Sequence, residues 1–122
     1  DSYHPERKPN LRVGAACELY GARATSRMIQ SFRDRATADL FAGRHTRENR
    51  HADACWSAAR RKLALLDAAR TLQDLLVPPG NRLEALRRDR RGQHSIRVND
   101  QYRLCFVWTD DGPHDVEFTD YH

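Results

Sequence analysis

From Met28 onward the spacing of apolar residues changes once, at the breaker Pro78-Pro79-Gly80. Before it they recur at the helical period of about 3.6, and after it they alternate at the strand period of about 2. Met28–Phe32 reads as a short strand with Ile29 and Phe32 buried. Asp34 opens a helix, because an acid suits the positive end of the helix dipole; Ala36, Leu40 and Phe41 recur at helical spacing and Gly43 ends it. After the polar connection from His45 to Asp53, a longer helix is predicted from about Ala52, with Trp56, Ala59, Leu63 and Leu66 facing inward and Arg60, Arg61 and Lys62 turned partly outward. Thr71 reads as the N-cap of a helical turn whose Leu72, Leu75 and Leu76 pack inward until the prolines stop it.

Past the breaker, Leu83 and Leu86 bracket Glu84, and the run from Asp89 to Gly92 makes a turn. Ile96 and Val98 alternate with Ser95 and Arg97, Asn99-Asp100 supplies a tight hairpin turn, and Leu104, Phe106 and Trp108 alternate with Arg103, Cys105 and Val107. A turn from Asp110 to Gly112 leads to Val116 and Phe118 in the last strand. The predicted order is β-α-α-β-β-β, an α+β fold with a twisted, mainly antiparallel sheet packed on two helices. If Ile96, Val98, Leu104, Phe106, Val116 and Phe118 face the helices, strand alternation sends Ser95, Arg97, Arg103 and Cys105 to the other face. That face is expected to be open and basic.

Charge sharpens this expectation. Between Asn81 and Phe106, seven arginines (Arg82, Arg87, Arg88, Arg90, Arg91, Arg97 and Arg103) face three acids (Glu84, Asp89 and Asp100), a local excess of +4 that equals the formal net charge of the whole chain. Arginines on a sheet edge are often plain solvated or edge-protecting charges, but this focusing also suits a polyanionic partner. The remaining composition mostly excludes. A chain of 122 residues with 39% hydrophobic and 31% charged residues is expected to form one small domain. No apolar run approaches bilayer length and no signal-peptide core opens the chain, so a cytoplasmic protein without a membrane partner is expected. Cys17, Cys55 and Cys105 are odd in number and far apart, and His45 and His51 lack a third ligand at suitable spacing, so no disulfide framework, metal or cofactor is expected. Residues 1–27, with Pro5, Pro9, Gly14 and Gly21, show little periodicity and read as an N-terminal extension, disordered or untranslated; Met28 is the sole methionine and the expected start of the 28–122 domain.

The run R-L-x-x-L-R-x-D-x-x-G-x-x-S-I-x-V-x-x-x-Y-R-L-x-F from Arg82 to Phe106, the terminal Asp120-Tyr121-His122 and the opening Met28-Ile-Gln-Ser-Phe32 together resemble the HigB branch of the RelE/ParE toxin superfamily, the plasmid maintenance system killer proteins. The resemblance implies a RelE-like fold and a type II toxin-antitoxin toxin that acts as a ribosome-dependent messenger RNA endonuclease without a metal, partnered by a HigA-like helix-turn-helix antitoxin. By their match to the motif, Arg87 and Arg103 are expected to stabilise charge on the phosphate, and Asp120, Tyr121 and His122 to form the terminal part of the site, with His122 moving a proton. Arg82, Arg88, Arg90, Arg91 and Arg97 are the expected RNA contacts. The chain departs from the family pattern at Leu83-Glu84-Ala85-Leu86-Arg87, where L-H-P-L-K is usual: a glutamate replaces a functional histidine. Glu84 then either acts as general base or marks a weakened toxin that works only through its antitoxin. A gyrase poison of the ParE kind is the remaining alternative, against which the terminal motif and the arginines weigh.

Overall fold

Asp34 accepts a hydrogen bond from the Thr37 amide (2.8 Å) and so starts helix α1, Arg35–Ala42, which Gly43 ends in the left-handed conformation at φ 82°. The computed structural model describes residues 28–120. Arg60, on the next helix, donates to the carbonyls of Leu40 (3.0 Å), which also accepts the Gly43 amide, and Phe41 (3.1 Å), and so binds the end of α1. Helix α2 spans Trp56–Ala68. The residues before it, Arg50–Cys55, form a 3₁₀ segment rather than the expected first turns of α-helix. The cause is Asn49, fully buried, which accepts from the Thr46 amide and donates to the Arg44 carbonyl, while its own carbonyl receives the Ala52 amide at i+3.

Thr71 and Asp74 cap the Leu72–Leu76 segment reciprocally, as the sequence predicts for Thr71. This segment is also a 3₁₀ helix, and its three-residue turn brings Leu72 and Leu75 onto one face. Leu75 is buried, whereas Leu76 is 55% exposed, contrary to its expected place in the core.

Four strands follow: β1 Glu84–Ala85, β2 His94–Arg97, β3 Arg103–Thr109 and β4 Gly112–Thr119, antiparallel and in the order β1-β2-β3-β4. The hairpin between β2 and β3 is longer than the expected tight turn: the Asn99 side chain accepts from the amides of Gln101 (2.9 Å) and Tyr102 (2.7 Å) and shapes it. The expected N-terminal strand shrinks to one parallel bridge between Phe32 and Val116. Asp115, at φ 53°, takes β4 out of the regular extended path just there, and the Ser31 hydroxyl accepts its amide instead (2.9 Å).

Ile96, Val98, Leu104, Phe106, Val116 and Phe118 are all buried and join Ile29, Phe32, Leu40, Ala59, Leu63 and Leu66 in one core, so the predicted helix-facing set holds. The opposite face differs from expectation, because it is not open. Register aligns Glu84, Ser95, Cys105 and Glu117 in a row across the four strands, and Ser95 and Cys105 are buried beneath side chains that lie over the row. The fold is therefore α+β, with one sheet face on the helices and the other covered by its own arginines.

Candidate active site

Arg103 lies at the centre of that covering. Alternation puts it on the polar face of β3, opposite Arg97 on β2 and Thr119 on β4. Its Nε donates to the Ser95 hydroxyl (2.7 Å), Nη2 donates to the Arg82 carbonyl (2.7 Å), and Glu84 Oε1 stands 3.6 Å from Nη2. With its side chain 13% exposed, this guanidinium is held in one orientation rather than sampling solvent. Beside it Cys105 is buried, and burial pushes its thiol up to about 11.

Two shallow depressions lie in this region, one of them lined by Glu84, which is 57% exposed at the side chain. One, about 540 Å³, is lined by Gly80, Arg82, Arg97, Asn99, Asp100, Gln101 and Arg103. The other, about 380 Å³, is lined by residues 84–90 and holds Arg87 and Arg88. Arg97 pairs with Asp100 across the first depression, and Gln101 Nε2 donates to Asp120 Oδ2 (3.1 Å), which brings the start of the terminal motif to the same rim. Tyr121 and His122 lie outside the described residues. The structure thus gathers Arg82, Arg97 and Arg103, with Glu84 beside Arg103 and Asp120 at the edge, and puts Arg87 and Arg88 in the second depression together with Glu84.

The other predicted arginines take different places. Arg91 is exposed next to Gly92, which at φ 94° needs the freedom of glycine. Arg90 is half-buried, and its Nη1 donates to Glu117 Oε1 (3.1 Å) and Gln93 Oε1 (3.1 Å), so it pins the 88–92 turn to the sheet instead of standing free for a ligand. Glu117 was within reach of sequence reasoning, since it alternates with Val116 and Phe118. Gln101 and the buried Asn81 were not, because neither belongs to a periodic pattern.

An antiparallel four-stranded sheet on two helices, with a pinned arginine on its polar face and a basic turn beside it, is consistent with a RelE-like α+β fold. Residues 26–122 match the family described as RelE-like toxin of type II toxin-antitoxin system HigB, and the chain belongs to that family. Among curated relatives, it is 56% identical over 54 residues to Toxin HigB-1 of Vibrio cholerae serotype O1, a match covering 44% of this chain and 57% of that protein. It is 44% identical over 48 residues to an uncharacterized protein of Haemophilus influenzae, covering 39% of this chain and 48% of that one. The chain spans about half the length of the curated relatives it matches.

Proposed function

We propose that this HigB-family chain is a ribosome-dependent endoribonuclease that cleaves messenger RNA by attack of a ribose 2′-OH on the adjacent phosphate, without a metal. The observation that supports it most is Arg103, fixed by the Ser95 hydroxyl and the Arg82 carbonyl beside an exposed carboxylate. A phosphate turning pentacoordinate gains negative charge, and a guanidinium held in advance stabilises it without reorganising at the moment of reaction. Arg103 is assigned that role, with Arg87 assisting from the depression that Glu84 also lines. Glu84 takes the proton from the 2′-OH: its carboxylate is exposed to the message and stands 3.6 Å from the guanidinium assigned to the phosphate. By the terminal motif, His122 gives a proton to the leaving 5′-oxygen, and Asp120 and Tyr121 are assigned to the same step. Arg82 and Arg97 grip the scissile phosphate or its neighbour, while Arg88 and Arg91 meet flanking phosphates. The partner in the cell is a HigA-like helix-turn-helix antitoxin, and the place of action is the cytoplasm.

Induction of Arg103→Ala and Glu84→Gln variants tests these roles. With Arg103→Ala, growth arrest disappears and cleavage falls by about 10² to 10³. Glu84→Gln is nearly as damaging if glutamate is the base. A Glu84→Gln protein of native activity alongside a dead Arg103→Ala would move the base elsewhere and leave the phosphate role standing.

A further inference from the structure

Asn81 has no solvent exposure, although it lies in the breaker that joins the helices to the sheet. Both Nδ2 hydrogens are used, toward the carbonyls of Leu75 (3.1 Å) and Val77 (3.3 Å), and Oδ1 accepts from Lys62 Nζ on α2. Its amide donates to the Pro78 carbonyl (2.9 Å). Held from three sides, Asn81 delivers the chain into Arg82 at φ 47°, ψ 57°, a left-handed conformation that residues with a Cβ rarely adopt. In that conformation the Arg82 carbonyl receives Nη2 of Arg103 at 2.7 Å, while Gly80 and Arg82 line the depression that Arg103 also lines. A continuous path of hydrogen bonds and backbone therefore runs from α2 to the guanidinium.

We infer that Asn81, held by Lys62, is the positioning residue of the arginine pocket: it sets the Arg82 backbone that locks the Arg103 guanidinium for its phosphate. Asn81 touches no substrate in this scheme and acts through Arg82. The inference rests on the reading of Arg103 as the group that meets the scissile phosphate. Its general ground is that polar groups buried in full are placed by their partners, and displacement of a reacting geometry by about 1 Å costs on the order of 10²-fold in rate.

Asn81→Asp is the first variant, since it keeps the size and the acceptor toward Lys62 but turns the donor to Leu75 and Val77 into an oxygen. Two readouts are taken on the full chain: the ¹⁵N side-chain resonances of Arg103, and kcat and KM for cleavage of ribosome-bound message. In the native protein the Arg103 Nη protons are slowed by their bond to the Arg82 carbonyl. In Asn81→Asp they average as in a free guanidinium, and kcat falls on the order of 10²-fold with KM little changed, while backbone amide spectra stay native-like. A folded Asn81→Asp with native Arg103 resonances and native kcat overturns the inference. Should Asn81→Asp fail to fold, Lys62→Met removes one of the anchors alone and is read the same way: averaged Arg103 resonances support the coupling, and native ones overturn it. Arg103→Ala separates the two ideas. If it cleaves at the native rate, the nuclease reading of Arg103 fails, whereas averaged Arg103 resonances in Asn81→Asp still support the positioning.

Discussion

Arg103 and Cys105 occupy neighbouring outward positions of one strand, and each is shaped by the same burial. A charge-assisted hydrogen bond contributes about 1.5 to 3 kcal/mol, and removing the Arg103 side chain would leave the buried Ser95 hydroxyl without the partner it now accepts from. Arg103 is therefore part of the structure as well as of the proposed site. For Cys105 the consequence is chemical silence. The thiolate is the reactive species, and a thiol pushed up to about 11 is ionised in only about one molecule in 10⁴ at pH 7. In the folded protein at pH 7.5, iodoacetamide labels Cys105 only as fast as the chain opens, and peptide mapping by mass spectrometry reads this directly. Labelling of Cys105 at the rate of an exposed thiol would mean that the polar face is open after all.

Among the elements, helix α2 ties the opening segment to the core through Asp67, whose Oδ1 accepts the Ile29 amide (3.0 Å). Burial raises the Asp67 carboxyl above its ordinary value, more than that one amide lowers it. Because the folded pKa is the higher one, the folded state binds more protons in the window between the unfolded and folded values. Stability therefore falls as pH rises through that window. Asp67→Asn keeps an acceptor for Ile29 and removes the ionisable charge. Its Tm at pH 7 is expected to equal or exceed the native one, with the difference closing as pH falls below about 4. A lower Tm for Asp67→Asn at pH 7 would show that the ionised carboxylate is needed.

These elements also show where the chain could be read in advance and where it could not. The helix-facing strand residues from Ile96 to Phe118, the Asp34 and Gly43 ends of α1 and the Thr71 cap were legible, because each follows from backbone periodicity or from one local hydrogen bond. The 3₁₀ geometry that exposes Leu76 was not, since it shifts a leucine pattern by a fraction of a turn. Nor was the covering of Ser95 and Cys105: alternation assigns a side chain to a face, but only tertiary partners decide whether an arginine stands in water or lies across the sheet. The residue types of the candidate site came from the motif, whereas the contact between Arg103 and the Arg82 carbonyl could not, because a backbone acceptor leaves no mark in a sequence.

At the scale of the whole molecule, the segment from Asn81 to Phe106 carries a local excess of +4 on strands β1 to β3 and the turns between them, while the helices pack against the opposite face of the sheet. Among the described residues, no helix is long and apolar enough to cross a membrane. Such a surface draws in any polyanion, so binding to RNA alone would test little. The proposed nuclease is distinguished by chemistry within that surface: an in-line attack by a 2′-OH on a phosphate held by Arg103. The direct measurement uses the purified chain, ribosomes and a defined message, first to locate the cleavage site and then with a single 2′-deoxy nucleotide placed immediately 5′ of the scissile phosphate. Native message is expected to be cut to a product ending in a 2′,3′-cyclic phosphate, Arg103→Ala to cut it about 10² to 10³ times more slowly, and the 2′-deoxy message to survive at that position. Cleavage of the 2′-deoxy message at the native rate, or by Arg103→Ala as fast as by the native chain, would contradict the account.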